Sequence, residues 1–187
     1  DVYKRQVFVY TLSDGTTTTT ANITIKVLGA NDTPVAQNDV GVIDEGQTLT
    51  VSNSDNANKT GDSFDADDEH SGDVIDTSSS SHSDSDADAS ASLSVTVIRT
   101  GSTEGSGTIG TLGQALSGTY GSLTMNSNGS YSYAANNNIS GLDSGESVTD
   151  VFNYTVSDGT ATDDATLTIT ILGLSLIHIS EPTRPIA

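Results

Sequence analysis

The stretch that decides the fold is Val151-Phe-Asn-Tyr-Thr-Val-Ser-Asp-Gly-Thr160. Its aromatic and aliphatic side chains recur at every second residue, a pattern typical of a β-strand with one buried face and one solvated face. The run Leu167-Thr-Ile-Thr-Ile171 continues the alternation beyond the Asp-Gly pair. Two alternating runs separated by Asp-Gly predict a β-hairpin, because this pair suits the tight turns that join antiparallel strands.

A second copy of this hairpin sequence lies near the start of the chain. Residues 7–29 align with residues 151–173 at an offset of 144, with 14 identities among 23 positions. Identity of this extent indicates a tandem duplication, and the long period suits a whole domain rather than a small solenoid unit. We therefore expect 7–29 to be the C-terminal strands of a preceding repeat and 30–173 to be one complete repeat.

The alternating pattern continues through residues 30–173. Leu93-Ser-Val-Thr-Val-Ile98 predicts another strand. Asn128-Gly129 predicts a second hairpin turn, across which residues 123–125 pair with residues 131–133. No segment of the sequence has the sustained 3.6-residue period of a helix. The sequence therefore predicts an all-β fold, a Greek-key, immunoglobulin-like β-sandwich with antiparallel strands.

The hairpin of residues 7–28 is expected to stand apart from this sandwich. We expect it to be the last pair of strands of a repeat whose remainder was cut off from this fragment. An isolated two-stranded hairpin is only marginally stable in water. We expect an orphan hairpin that precedes the sandwich of 30–173 and does not complete it.

The two ends of the chain are related to each other at the level of DNA. One possible coding for residues 174–178 is CTG TCT CTT ATA CAC, and its reverse complement encodes Val-Tyr-Lys-Arg-Gln, the sequence of residues 2–6. Two unrelated segments are rarely reverse complements, so the match indicates a sequencing adapter translated at both ends. We expect residues 1–6 and 174–187 to be adapter-derived and the natural termini to lie beyond them.

Composition excludes several classes of function. The 25 acidic and 6 basic residues give a net charge of −19, which disfavours nucleic acid because that partner needs clustered Lys and Arg. The absence of cysteine excludes disulfides, zinc–thiolate sites and thiol catalysis. No apolar run approaches the roughly 20 residues of a membrane span, so we expect no membrane insertion of this fragment.

Residues 52–92 interrupt the alternating pattern with an acidic, Ser/Asp-rich insert or loop. The segment includes the run Thr77-Ser-Ser-Ser-Ser-His-Ser-Asp-Ser-Asp-Ala-Asp88 and offers little to bury beyond Phe64, Val74 and Ile75. Two interpretations stay open. Most of the segment is a solvated flexible loop by composition, whereas residues 84–88 are a candidate cation site.

Several motifs together resemble the VCBS repeats of bacteria. The stretch from Asp150 to Thr160, followed by Ala165-Thr-Leu-Thr-Ile-Thr-Ile171, is similar to the closing strands of these repeats. Tyr120-Gly-Ser-Leu-Thr-Met-Asn-Ser-Asn-Gly-Ser-Tyr-Ser-Tyr133 resembles their central hairpin, and Gly29-Ala-Asn-Asp-Thr-Pro-Val-Ala36 resembles the junction between repeats.

The resemblance implies a fold and a setting. VCBS repeats are cadherin-like sandwiches in very large secreted or surface-attached proteins, and many of these are adhesins that are exported by type I secretion and depend on calcium. Residues 52–92 depart from the family pattern. The glycine-rich calcium-binding nonapeptide of such adhesins does not occur in this sequence.

Acidic residues at three places offer ligands for calcium, which takes six to eight oxygen atoms. They are Asn31-Asp32 at the junction, Asp44-Glu45, and the alternate carboxylates of Asp84-Ser-Asp-Ala-Asp88. The resemblance implies that acids from one domain, the Asx-Asp linker and an Asp-x-Asp pair converge between neighbouring repeats. The predicted metal ligands are Asn31, Asp32, Glu45, Asp84, Asp86 and Asp88.

The alternative for each of these acids is plain solvated charge. An EF-hand is excluded, because Ala89 occupies the sixth position counted from Asp84, where that loop needs Gly. Asp14 and Asp158 are interpreted as turn residues.

Three functional hypotheses follow. The first is a non-enzymatic structural repeat, a calcium-stiffened extension module of a secreted or surface adhesin in cell adhesion or biofilm, with adjacent repeats and cell-surface or matrix ligands as partners. The alternative is a glycan- or protein-binding sandwich module attached to a larger extracellular enzyme. The core spacing of Tyr131 and Tyr133 and the absence of Trp argue against a sugar platform. A hydrolase is the weakest hypothesis, because no catalytic motif accompanies His70 and His82.

Overall fold

The computed structural model describes residues 3–52, 59–60, 69–75, 82–88 and 91–173. These residues form strands, bridges and turns without a helix, which confirms the predicted all-β class. It follows that the described part of the chain offers no helix with the length and apolarity needed to cross a membrane.

The strands are, in chain order, β1 (Tyr3–Ser13), β2 (Thr18–Leu28), β3 (Asp39–Asp44), β4 (Thr48–Val51), β5 (Lys59–Thr60), β6 (Glu69–His70), β7 (Ser94–Thr100), β8 (Ile109–Gly110), β9 (Leu116–Ser117), β10 (Gly121–Met125), β11 (Tyr131–Ala135), β12 (Ser147–Ser157) and β13 (Thr162–Leu172). They form three sheets. The largest has the order β5-β6-β3-β13-β12-β7-β8, the second β4-β11-β10-β9, and the third contains only β1 and β2.

The two larger sheets form the predicted sandwich. The chain changes sheet between β3 and β4, between β4 and β5, between β8 and β9, and again between β11 and β12. Strand β3 lies parallel to β13, while the other strand pairs are antiparallel. Crossings of this kind between two antiparallel sheets are typical of immunoglobulin-like topology.

The core lies between these sheets and consists of the side chains that the alternating pattern selects. Phe152, Tyr154 and Val156 of β12 are at most 1% exposed. The large side chains of the facing sheet are buried as deeply, and with β13 they complete the interior: Leu123, Met125, Tyr131, Tyr133, Leu167, Ile169 and Ile171. Burial of a large apolar side chain stabilises a fold by about 1.5–3 kcal/mol, so these positions dominate the stability of the sandwich.

The second predicted hairpin is confirmed. Leu123 lies opposite Tyr133 and Met125 lies opposite Tyr131. The turn between the strands needs Gly129, whose φ of +89° favours glycine over any residue with a Cβ. A Cβ at this position would also meet Asp73 Oδ1 at 2.7 Å. The turn therefore packs closely against the segment around Asp73.

A buried carboxylate joins the two sheets. Asp150 on β12 accepts hydrogen bonds from the backbone N–H groups of Thr119 and Tyr120, both at 2.9 Å, and from the Tyr133 hydroxyl at 2.7 Å. Asp150 is 4% exposed. Three donors compensate for the burial of the charge, which would otherwise be strongly unfavourable.

Part of the acidic segment is buried, so the loop interpretation of residues 52–92 is wrong there. Residues 71–75 are buried and close one end of the core. The Ser71 hydroxyl donates to Asp39 Oδ1 at 2.8 Å, and Val74 N–H donates to the Gly129 carbonyl. These tertiary hydrogen bonds hold a polar sequence inside, which the low apolar content of the segment did not suggest. Phe64 lies outside the described residues.

The N-terminal hairpin repeats the geometry of β12 and β13. The bounds of β1 and β2 each differ from those of β12 and β13 by 144 residues, the offset of the sequence duplication. The register is also the same, since Val7 pairs with Thr24 as Val151 pairs with Thr168. Strand β1 begins inside the segment predicted to be adapter-derived, and residues 174–187 lie outside the described residues.

We expect the backbone amides of β1 and β2 to exchange with solvent far faster than those of β12 and β13. Every described side chain of the N-terminal hairpin is exposed, and its strands pair only with each other. Hydrogen exchange followed by NMR or mass spectrometry measures this difference. Equal protection of the two hairpins would contradict the expectation and indicate exchange of strands between the copies.

Loss of the Asp150 carboxylate should destabilise the sandwich more than loss of the hydroxyl that binds it. Asp150→Ala leaves three donors without an acceptor and should lower the free energy of unfolding by about 3 kcal/mol or more. Tyr133→Phe removes one donor of three and should cost about 1 kcal/mol. Urea denaturation of both variants checks this order, and equal losses would contradict it.

Candidate functional site

The junction segment lies against the acidic run 84–88 at one end of the sandwich. Val35 and Ser85 form an antiparallel bridge with hydrogen bonds of 2.8 and 3.0 Å. Beside this bridge, Gln37 N–H donates to Asp84 Oδ1 at 2.8 Å, and Asp32 N–H donates to Asp88 Oδ2 at 3.0 Å. The backbone of the junction is therefore fixed by the carboxylates that the sequence proposed as metal ligands.

The turn between β12 and β13 contacts the same segment. Asp158 accepts from the N–H groups of Thr160 and Ala161, which confirms its predicted role in the turn. Its second oxygen accepts from Asn31 Nδ2 at 2.8 Å. The backbone hydrogen bond from Ala161 and the Asn31 side chain lower the pKa of Asp158. Asp158 is thus a turn residue that also holds the junction.

Asp84 is the most deeply buried of the predicted ligands. It is 3% exposed, and its Oδ2 has no hydrogen-bond partner in the described part of the chain. The pKa of Asp84 is raised to about 7, mainly because the carboxyl group is buried; the hydrogen bond from Gln37 N–H opposes this shift, and the carboxylates of Asp39, Asp73 and Asp163 add to it. A nearby positive charge would stabilise the ionised form of Asp84, and the neighbouring carboxylates do not supply one.

Asp86 presents a second inward-facing oxygen. Its Oδ1 accepts from Asp88 N–H at 2.7 Å, whereas its buried Oδ2 has no partner among the described residues. Most buried polar atoms in folded proteins have a partner, so two such oxygens only two residues apart indicate a shared need for a donor or a cation.

Glu45 lies at the other end of the sandwich. Its N–H donates to the Leu172 carbonyl at 2.9 Å, and its Oε2 accepts from Ile139 N–H at 3.0 Å. Asp163 marks the junction end of β13, since it accepts from Ala36 N–H, and nine residues of strand separate it from Leu172. At 3.3 Å per residue the two ends are about 30 Å apart. The structure brings together Asn31, Asp32, Asp84, Asp86 and Asp88, but not Glu45.

The gathered residues do not form a complete metal site within one chain. In the ranges that the structure describes, no three His, Cys, Asp or Glu side chains are grouped closely enough to hold an ion. Several carboxylate oxygens are already engaged by backbone N–H groups of the junction. These acidic residues therefore supply only part of the oxygen ligands that a bound cation would need.

Sequence reasoning missed three acids of this region, Asp39, Asp73 and Asp163. Asp39 is 1% exposed and accepts from the hydroxyls of Ser71 and Tyr154. A signal for Asp163 existed in the sequence, because the first copy of the hairpin has Thr19 at the equivalent position. A difference between copies at a solvent-side position points to a role at the junction rather than in the core.

An open cleft of about 530 Å³ lies elsewhere on the sandwich. Its lining is rich in Ser, Thr and Gly and contains no aromatic side chain: Thr100, Gly101, Ser102, Thr108, Ser117, Gly118, Thr119, Thr149, Asp150 and Val151. Tyr131 and Tyr133, which a sugar platform would need at the surface, are at most 2% exposed. The cleft therefore lacks the stacking surface of a typical glycan site.

Without divalent cations, the sandwich should lose stability as pH rises from 5.5 to 8. Asp84 has a higher pKa in the folded chain than in the unfolded one, so folding favours its protonated form and the benefit disappears as pH passes through about 7. We expect a loss of about 2 kcal/mol over this range. Urea denaturation at each pH in the presence of EDTA measures it.

Asp84→Asn provides the control. The amide keeps an acceptor for Gln37 N–H but does not ionise, so the variant should show a much flatter dependence on pH. An unchanged slope in Asp84→Asn would assign the effect to other groups.

Comparison with known proteins supports the fold of the sandwich. A family model for the bacterial cadherin-like domain matches residues 54–173. No curated protein matches the chain. Two solved structures of an endo-fucoidan hydrolase from glycoside hydrolase family 107, one of them a variant, align over 91% of this chain with TM-scores of 0.35 and 0.31 and identities of 15% and 14%.

The chain spans 19% of those enzyme chains, and the low TM-scores carry no functional argument. The family match covers well over half of the chain and coincides with most of the sandwich. The all-β, two-sheet architecture agrees with it. The chain therefore belongs to the bacterial cadherin-like domain family.

Proposed function

We propose that this chain is a structural repeat of a bacterial extracellular or surface adhesin, and that calcium stiffens its connection to neighbouring repeats. The observation that carries the proposal is the duplicated hairpin, which has the same register in both copies and is joined to the sandwich by the acidic junction. Repetition of a whole domain with a short connection is typical of an extended array.

The positions of the two ends of the sandwich favour a linear array. The junction segment contacts Asp163 near the start of β13, while β13 ends at Leu172, beside Glu45. The chain therefore enters the sandwich at one end and leaves it at the other. A following repeat would begin next to Glu45, and its own junction would face this residue.

This arrangement also accounts for the incomplete set of ligands. In an array, the equivalent of Glu45 in one repeat would lie close to the equivalents of Asn31, Asp32, Asp86 and Asp88 in the next. Carboxylates and Asn side chains are ligands that calcium prefers. We infer that the cation site forms between two complete repeats, with the unpartnered oxygens of Asp84 and Asp86 as part of its acidic base.

In this proposal, calcium stiffens the array by neutralising negative charge at the junction between repeats. The chain has a net charge of −19, and repulsion between acids at a junction favours separation of the repeats. A bound dication would offset this repulsion and fix the angle between neighbours. Extension of a stiff arm away from the cell surface is a non-enzymatic function, with adjacent repeats as the immediate partners.

A glycan- or protein-binding module of a larger extracellular enzyme is the competing hypothesis. The open cleft has no aromatic lining, and the buried tyrosines give it no support. Selective and saturable binding of this chain on a glycan array would favour it over the structural role.

Calcium should raise the melting temperature of this chain slightly and that of a two-repeat polypeptide more. Extracellular modules bind calcium with dissociation constants of roughly 10⁻⁴–10⁻³ M, so 1 mM calcium stabilises each complete site by about 0.4–1.4 kcal/mol. The two-repeat polypeptide, 30–173 followed by a second 30–173, contains a complete junction. Differential scanning calorimetry in calcium and in EDTA compares the two.

Asp86→Asn combined with Asp88→Asn should abolish most of the calcium response of the two-repeat polypeptide. Glu104→Gln is the matched control, because Glu104 is an exposed acid in the loop between β7 and β8. Asp158 is unsuitable as a control, since it contacts Asn31 at the junction. Identical melting curves in calcium and EDTA would exclude calcium and leave a structural repeat without a metal.

A further inference from the structure

The turn between β10 and β11 contains the only Asn-Gly pair of the sequence, Asn128-Gly129. Asn128 is exposed, as are Asn126 and Ser127 before it, so solvent reaches the side chains of this turn. An Asn that precedes Gly can react with the backbone of its own chain, because no side chain on the next residue blocks access to the backbone nitrogen. The pair is therefore a candidate site of covalent modification.

The turn holds the groups that would react in a fixed arrangement. Gly129 N–H donates to the Asn126 carbonyl at 3.1 Å. The side-chain oxygen Oδ1 of Asn128 accepts from Ser130 N–H at 3.3 Å, so the side chain bends over the backbone toward residue 130. This bend turns the side-chain carbonyl carbon Cγ of Asn128 toward the nitrogen of Gly129, which lies between the two residues in the chain. Groups that a fold holds close together react faster than groups that must first meet.

The hydroxyl of Ser130 favours attack at this carbon. It donates to the same Oδ1 of Asn128 at 2.8 Å, and it accepts from Asn126 Nδ2 at 3.0 Å. Attack on Cγ moves negative charge onto Oδ1, and donors that already point at this atom stabilise the charge as it develops. The hydrogen bond from Asn126 polarises the hydroxyl and strengthens its donation. The turn therefore has two oxyanion-stabilising donors beside the Asn-Gly bond.

The same turn helps to close one end of the core. Val74 N–H donates to the Gly129 carbonyl at 3.2 Å. A Cβ on Gly129 would lie 2.8 Å from Ile75 Cγ1, so the backbone of the turn packs directly on residues 73–75. Asp73 and Val74 are at most 4% exposed. A change in the backbone or the charge of the turn will therefore act on this buried segment.

We propose that Asn128 is a site of spontaneous deamidation, that Ser130 promotes the reaction, and that the product loosens residues 73–75 at the end of the core. The proposal rests on the turn between β10 and β11 and does not depend on calcium binding.

The reaction needs only water and hydroxide from the solvent. Hydroxide removes the amide proton of Gly129, and the nitrogen forms a bond with Asn128 Cγ. The bond between Cγ and Nδ2 then breaks, and Nδ2 takes up a proton from water and leaves as ammonia. Water opens the resulting succinimide at either of its carbonyls, so the product is an aspartyl or an isoaspartyl residue. Because hydroxide starts the reaction, its rate should rise with pH.

Both products disturb the contact with residues 73–75. Each adds a negative charge to a turn that packs against Asp73, a buried carboxylate that already lies near Asp84, and like charges at short range repel. The isoaspartyl product also inserts a methylene group into the main chain, which displaces the Gly129 carbonyl from Val74 N–H. A buried N–H without an acceptor is costly, so local opening of the segment should follow.

Incubation of the full chain at mildly alkaline pH in EDTA tests the first part of the proposal. Peptide mapping by mass spectrometry at intervals measures the loss of the amide at each Asn. Asn126 is an internal control, because it is exposed on the same turn but precedes Ser127. We expect Asn128 to lose its amide at least about tenfold faster, with labelling of its peptide by an isoaspartate-specific methyltransferase. Equal loss at the two positions would overturn the proposal.

Two serine variants isolate the role of the hydroxyl. Ser130→Ala removes one donor to Oδ1 and keeps the backbone N–H. It should slow the loss of the Asn128 amide by about three- to tenfold, less than removal of a buried oxyanion donor, because solvent competes at an exposed turn. Ser132→Ala removes a hydroxyl from a half-buried position on β11 and should leave the rate unchanged. Equal rates in the two variants would overturn the role of Ser130.

Hydrogen exchange of the aged chain tests the effect on the core. We expect the Val74 amide to exchange about tenfold faster in the deamidated fraction than in fresh protein, while the amides of β12 change little. Asn128→Asp reproduces the aspartyl product and should shift the exchange of Val74 in the same direction without incubation. Unaltered exchange of the Val74 amide in the deamidated fraction would overturn the proposed loosening.

Discussion

The pairing of β12 with β13 in a single register positions the rest of the sandwich. Eleven consecutive residue pairs join the two strands at the centre of the largest sheet. Because side chains alternate between faces, a slip of one residue would move Phe152, Tyr154 and Val156 from the core to the opposite face. The Asp158 turn fixes this register through its hydrogen bonds to Thr160 and Ala161. Strands β7 and β3 then add at the outer edges, and the second sheet covers the apolar face.

The same constraint explains which features were predictable from the sequence. Some features are local properties: the two hairpins, their turn residues and the burial of the alternating apolar side chains. Alternation with a period of two, interrupted by Asp-Gly or Asn-Gly, predicts them directly. The duplication added the long-range information that residues 3–28 and 147–172 have one geometry. The sandwich class followed from these elements without any knowledge of their contacts.

The polar interior could not be predicted in the same way. Residues 71–75 look like a solvated loop, yet Ser71 and Asp73 are buried because distant backbone and side-chain groups hydrogen-bond this segment. The candidate site was found in part, since residues 84–88 and the junction do meet. The separation of Glu45 from them, and the contribution of Asp163, depend on the direction of β13 through the sandwich. Composition and spacing contain no information about that direction.

The junction combines rigidity with unfavourable electrostatics. Backbone N–H groups of Asp32, Ala36 and Gln37 each bind a carboxylate, so the segment has one well-defined path. Asp163, Asp39 and Asp73 place negative charge near Asp84, and both this charge and the burial of Asp84 oppose its ionisation. In the proposed calcium site, the path of the junction backbone would be in place before a cation arrives, while the charge would be compensated only afterwards. Binding then requires little ordering of the chain, which lowers the entropic cost of forming the site.

The parallel contact between β3 and β13 has a consequence for a protein under tension. These are the strands next to the two ends of the sandwich, and six residue pairs join them, from Asp39 opposite Leu167 to Asp44 opposite Leu172. A force that pulls the junction away from the C-terminal end draws the two strands in opposite directions along their common axis. The hydrogen bonds between them would then be sheared together rather than opened one after another. An arm of such domains could transmit a pulling force while each sandwich stays folded.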